Sequence, residues 1–178
     1  MAIDGTMPGR LPGLPVQDRA TGGAERLVGL GFRYWVAGYQ TGDIGRWEDA
    51  WQIYTGALGP RRARAAVAEL SAWVRSVSAA ARREISVCSG DCTSLCRDEC
   101  LAVSMIAACQ HNTCPAMRAC AFALIESSLI DEVVHHAESF AVTMRGLDQV
   151  LPPNLIVNAA AYTAEPELAP GQSGRRMT

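Results

Sequence analysis

A chain of 178 residues suits one domain plus terminal segments, and an apolar fraction of 49% is enough for a sizeable core. The formal net charge of −2 gives no clustered basic face: Arg61, Arg62 and Arg64, with Arg82 and Arg83 further on, sit among alanines and read as a solvated helix face, so no nucleic-acid partner is expected. Every one of the 16 basic residues is arginine, which excludes Schiff-base and phosphate-loop chemistry that needs lysine.

Arginine and alanine have GC-rich codons, so a high-GC bacterial genome is the expected source and mutational bias the cause. Met1 to Gly23 carries Gly5, Gly9, Gly13, Pro8, Pro12 and Pro15 without an apolar run. It reads as a flexible N-terminal segment, 1–23, with no secretory signal. The apolar stretch Cys100 to Cys109 is too short to span a bilayer, so no membrane association and a cytoplasmic location are expected. In that compartment seven cysteines are thiols, metal ligands or packing residues rather than a disulfide framework.

A helical bundle domain is expected over 24–150. Its first helix runs from Ala24 to about Gln40, and Thr41-Gly42-Asp43 reads as a stop followed by an N-cap. A second helix from Ile44 to Leu58 places Ile44, Trp47, Trp51, Tyr54 and Leu58 on one stripe. Gly59-Pro60 breaks the chain. The third helix then runs from Arg61 to about Val87, with Val67, Leu70, Val74, Val77, Ala81 and Cys88 on one seam.

Ser89-Gly90-Asp91 marks a cap, and the fourth helix spans Cys92 to Cys109. After the turn His111-Asn112-Thr113, a long fifth helix runs from Pro115 to about Asp148. Phe122, Leu129, Val133, His136, Phe140 and Leu147 lie along its apolar side. Pro152-Pro153 ends the helical part. Leu155-Ile156-Val157 can dock on the bundle, and 151–178 is otherwise expected to be a mostly disordered tail. The pattern specifies an all-α, up-down antiparallel bundle of four to five helices with disordered N- and C-terminal tails.

Cys88, Cys92, Cys96 and Cys100 recur every four residues, which stacks side chains along one face of a helix. Folding the last two predicted helices back on each other sets position 92 opposite about 132, and 88 opposite about 136. Cys88, Cys92 and Cys96 then approach Glu132, His135 and His136. Thiolate and imidazole together suit Zn2+ or Cu+. Cys92, expected at a helix N-terminus, is a candidate thiolate.

The repeated C-x-x-x-C run resembles, in spacing, the thiol-lined helices of bacterial copper-storage bundles. Those proteins line several helices with cysteine. Here the match covers 88–100 and the other helices lack it, so the resemblance does not extend to bulk copper storage.

A second group, Cys109, His111, Cys114 and Cys120, surrounds the other turn. Cys109 and Cys114 are candidate redox thiols, and Cys114 before Pro115 opens a helix. Glu132 and His135 form one Glu-x-x-His, but a di-iron centre needs a second copy. No serine elbow or H-E-x-x-H occurs, so an enzyme is the weaker reading.

The sequence therefore favours a cytoplasmic helical protein whose Cys88, Cys92, Cys96, His135 and His136 bind Zn or Cu, or whose thiols respond to redox state. The alternative is a non-catalytic interaction or assembly factor whose cysteines mainly pack. It would form a homo-oligomer through the aromatic helices that carry Phe32, Tyr34, Trp35, Trp47, Trp51 and Tyr54.

Overall fold

The computed structural model describes residues 23–160. These residues form an all-α protein with six helices: α1 (Gly23–Thr41), α2 (Ile44–Leu58), α3 (Pro60–Ala80), α4 (Arg97–Gln110), α5 (Cys114–Ile125) and α6 (Ile130–Gly146). A short 3-10 turn, Pro153–Leu155, follows. No β-strand is present among the described residues, and no helix there is long and apolar enough to cross a membrane. The flexible segment expected at 1–23 lies outside the described residues apart from Gly23, which opens α1. Of the tail expected at 151–178, residues 151–160 are described. Leu151, Leu155 and Ala159 are buried there, and Ile156 and Val157 pack against the core.

The bounds of α2 and the start of α3 follow local chemistry. Asp43 caps α2, its Oδ1 accepting the Gly45 N–H at 2.9 Å. Gly59, at φ 78, is one of the few positions where the backbone needs a glycine. Pro60 follows in the first turn of α3. Helices α1 and α2 pack antiparallel: the Tyr54 hydroxyl donates to Leu27 O at 2.8 Å, while Trp47 reaches back to the Trp35 carbonyl at 3.2 Å.

The stripe on α2 is narrower than the sequence implies. Ala50, Tyr54 and Leu58 are buried, whereas Ile44, in the first turn beyond the reach of α1, is 71% exposed. Trp35 and Trp47 stack on each other with centroids 5.9 Å apart, and Tyr39 meets Trp47 edge-on. That contact demands a glycine, because a Cβ on Gly38 would run into the Trp47 indole. Gly38→Ala is expected to lower stability by about 1–3 kcal/mol through overpacking. A urea midpoint unchanged by the substitution would show that the α1–α2 seam is loose.

At the centre, Trp73 on α3 is fully buried between Phe32 of α1, at 5.4 Å, and Phe140 of α6, at 5.5 Å. Helices α3 and α6 run antiparallel, since Arg62 near the start of α3 meets Asp148 just beyond α6. Helices α4 and α5 form a hairpin, with Ser104 facing Cys120.

Two predicted helices differ from the structure. The long fifth helix is two, because Glu126 adopts a left-handed conformation (φ 51) and its N–H closes on Phe122 O at 2.8 Å. Phe122 and Leu129, on opposite sides of that break, are 53% and 67% exposed rather than part of one apolar side.

The third helix ends at Ala80, not near Val87, and the fourth begins at Arg97, not Cys92. Residues 81–96 are a loop. The local sequence there favours helix, so tertiary contacts decide. The Arg82 N–H donates to Ile125 O, and Arg83 forks onto the buried carboxylate of Asp98 with two contacts of 2.7 Å. The loop then runs back along α1: Gln40 bonds Ile85 O, Tyr34 bonds Gly90 O, and Leu95 packs against Gly29.

Candidate metal centre

Two consecutive carboxylates in the first turn of α4 organise this loop. Asp98 takes Arg83 and also the Ser86 N–H at 2.7 Å. Glu99, 0% exposed, pairs with Arg33 of α1, which is 1% exposed. Glu99 Oε1 accepts Arg33 Nε at 2.7 Å and the Cys88 N–H at 3.0 Å. Oε2 accepts Arg33 Nη2 at 3.1 Å and the Cys96 N–H at 2.8 Å. Cys96 is the N-cap of α4 and Glu99 is its N3 residue, so the last of these bonds closes a capping box. Arg33 spends its remaining donors on the carbonyls of Cys92 and Ser94, at 2.7 Å each, and of Ser89, at 3.4 Å. One ion pair thus fixes both ends of the segment 88–96.

That clasp gathers the thiols. Sγ of Cys88, Sγ of Cys96 and a carboxylate oxygen of Glu99 all lie within 4.8 Å of one another. Cys92 is brought round by a tight turn in which its N–H donates to Ser89 O at 3.0 Å. The helical stacking expected for the C-x-x-x-C run is not how they meet, since Cys88, Cys92 and Cys96 all precede α4. Cys100 continues into the helix, where it is buried.

The three sulfurs differ in acidity. Burial, then the charge of Glu99, pushes the Cys88 thiol up to about 12. Burial, again with Glu99, pushes Cys96 up to about 11, and its thiol donates to Ser86 O at 3.1 Å. Cys92 moves the other way. Hydrogen bonds from the Ser94 hydroxyl and backbone favour its thiolate first, with smaller contributions from the Cys88 thiol and the Arg33 charge. The helix N-terminus expected to activate Cys92 is not involved, because α4 starts five residues later.

Glu99 holds this site together but is poorly placed to bind an ion. A carboxylate has about four lone-pair sites, and four donors already occupy them. Its role is to position the sulfurs.

His135 and His136 lie on α6, flanking its buried face of Val133, Val134, Ala137, Phe140, Ala141 and Met144. Their rings meet edge-on at 5.4 Å, and His136 Nε2 is 4.0 Å from Glu132 within the same helix. They are not part of the group that unites Cys88, Cys96 and Glu99. The hairpin that would carry them to the thiols assumes one unbroken helix over 115–148. The break at 126–129 instead lays α6 along α3.

Of the second group, Cys109 lies in the last turn of α4 and Cys114 is the exposed first residue of α5. His111 is committed to the Leu151 carbonyl at 2.7 Å, and Cys120 to Ser104 at 3.3 Å. All seven cysteines lie among the described residues, and no disulfide joins any two of them.

Sequence pattern alone does not single out Arg33, Asp98 or Glu99, although Arg33 and Glu99 each leave a trace in the chain. Arg33 is a lone charge inside the apolar run of α1, and Cys96-x-x-Glu99 has capping-box spacing with sulfur in place of a hydroxyl.

The chain matches no protein-family model, no curated protein and no solved structure.

Proposed function

We propose that this protein binds a thiophilic cation, Zn2+ or Cu+, on the sulfurs of Cys88 and Cys96, with Cys92 as the third arm. The observation that carries the reading is the approach of Cys88 Sγ and Cys96 Sγ to within 4.8 Å beside the Arg33–Glu99 pair. Two sulfurs bound at about 2.3 Å to one tetrahedral ion lie about 3.8 Å apart, so the loop needs only a small contraction. Arg33 and Glu99 cancel in charge, which leaves the thiolates to meet the ion. The donor set is all sulfur, without the imidazoles of His135 and His136.

A second reading rests on the split acidity of the loop thiols. Hydrogen bonds from Ser94 lower the Cys92 pKa while burial raises that of its neighbour Cys88, the arrangement of an attacking and a resolving cysteine. With a hydroperoxide, the Cys92 thiolate takes the distal oxygen to become a sulfenic acid, and hydroxide or alkoxide leaves. The Cys88 sulfur then displaces that oxygen as water and forms the disulfide.

The assembly role suggested by the aromatic helices has less support. Phe32 and Tyr54 are fully buried, and Trp35 and Trp47 stack on one another within the chain.

One experiment separates the first two readings: metal analysis of the full chain purified under reducing conditions, followed by timed alkylation of its thiols. An equivalent of Zn or Cu that is lost in Cys88→Ser and in Cys96→Ser but kept in His135→Ala supports the metal site. Metal-free protein whose Cys92 alkylates faster than a free cysteine supports the redox reading. Metal-free protein with no fast thiol removes both.

A further inference from the structure

The far end of α4 carries a second sulfur cluster that the loop site does not use. Asn112 adopts a left-handed conformation (φ 55), and the Thr113 N–H reaches back to Ala108 O at 2.9 Å. This tight turn folds the first turn of α5 against the last turn of α4. Cys114 and Met117, three residues apart, share one face of α5. Across the turn, Cys109 Sγ lies 3.1 Å from Met117 Sδ. Met117 is buried, Cys109 half-buried and Cys114 exposed, so the sulfurs run from the core to solvent. The helical rise sets Cys109 about 20 Å from Cys96, so this cluster cannot share an ion with the loop.

We propose that Cys109, Met117 and Cys114 form a separate site for a soft monovalent cation, Cu+. A thioether is a neutral, polarisable donor that suits Cu+ and adds little for Zn2+, which prefers thiolate, imidazole or carboxylate. The Cys109 thiol donates to Met117 Sδ, so the two sulfurs already face each other and need only part to about 3.8 Å to take an ion, and exposed Cys114 is the point of entry. Loading changes no oxidation state. Cu–S bonds form as the bonds to the delivering chelator break, and the S–H protons of Cys109 and Cys114 go to solvent. The Glu138 carboxylate lies close enough to act on Cys109 electrostatically, which favours a cation there.

The test uses the full chain, reduced and kept from air, with Cu+ presented by a chromogenic chelator. The expected result is withdrawal of a Cu+ equivalent that survives in Cys88→Ser/Cys96→Ser and disappears in Cys109→Ser. Met117→Leu preserves volume and so keeps the fold. It should weaken this equivalent by about tenfold or more while leaving Zn2+ binding unchanged. If Cys109→Ser and Met117→Leu bind Cu+ as the parent does, the proposal is overturned. If Cys88→Ser/Cys96→Ser loses every equivalent, it is likewise overturned, and the loop site alone stands. If that variant loses none while Cys109→Ser loses one, the present site stands and copper binding at the loop falls.

Discussion

Glu99→Gln lowers the unfolding free energy by about 3–5 kcal/mol, the usual cost of removing one partner from a buried ion pair. The expectation follows from the four donors that converge on this side chain. An amide keeps one acceptor oxygen and turns an NH2 group toward N–H donors that cannot receive it. It also leaves the Arg33 guanidinium buried without a counter-charge. For a domain whose total stability is about 5–15 kcal/mol, this is a large share. The loss is not confined to stability. With the clasp opened, segment 88–96 loses its anchors at both ends, so Cys88 and Cys96 should alkylate faster in Glu99→Gln than in the parent. Denaturant unfolding and timed alkylation check the two halves. A change under about 0.5 kcal/mol, the range of an ordinary surface substitution, would show that the pair is not the loop's anchor.

The second large effect is the pH dependence of metal affinity at the loop. Cys88 and Cys96 hold their protons up to about 12 and about 11, so an ion must displace a proton from each. Affinity should therefore rise at least about 100-fold per pH unit between about pH 6 and 9, tenfold for each of these two protons, and more steeply wherever Cys92 also gives up one. In Cys88→Ser the slope should fall by about tenfold per unit. A slope that stays flat in the parent would mean that the ion does not use these sulfurs.

The metal-free protein has the opposite dependence. A thiol whose folded pKa is raised favours the folded state while it keeps its proton. Unfolded thiols begin to ionise near about pH 8.5, whereas these two wait until about 11 and 12. Stability contributed by Cys88 and Cys96 is thus fully present below about pH 8.5 and drains away as pH rises toward 12. Bound metal reverses the sign, because it stabilises the fold most where the thiols ionise most easily.

Much of the scaffold is legible in short stretches of sequence. The bounds of α2 follow from the Asp43 cap and the Gly59-Pro60 break, and α1 from its apolar pattern, because those signals act over one or two turns. The spacing of the cysteines points to their clustering, and Cys88 and Cys96 do meet, but in a curled loop rather than in the stacked-helix geometry expected. Cysteines eight residues apart can meet either on a helix or in a curled loop, and spacing alone does not choose between them.

What the sequence by itself determined is the helical class, the first three helix starts, the hairpin turn at His111–Thr113 and the presence of clustered thiols. Each of these depends on residues within a few positions of one another. The tertiary structure decided where the thiols go. The alanine- and arginine-rich stretch after Ala80 favours helix locally, yet Arg83 pairs with Asp98 fifteen residues on, and Arg33 with Glu99 across 66. Burying those two carboxylates without their arginines would cost more than the helix turns forgone. The chain therefore opens into a loop, and the partner of the thiols becomes a buried ion pair rather than the histidines of α6.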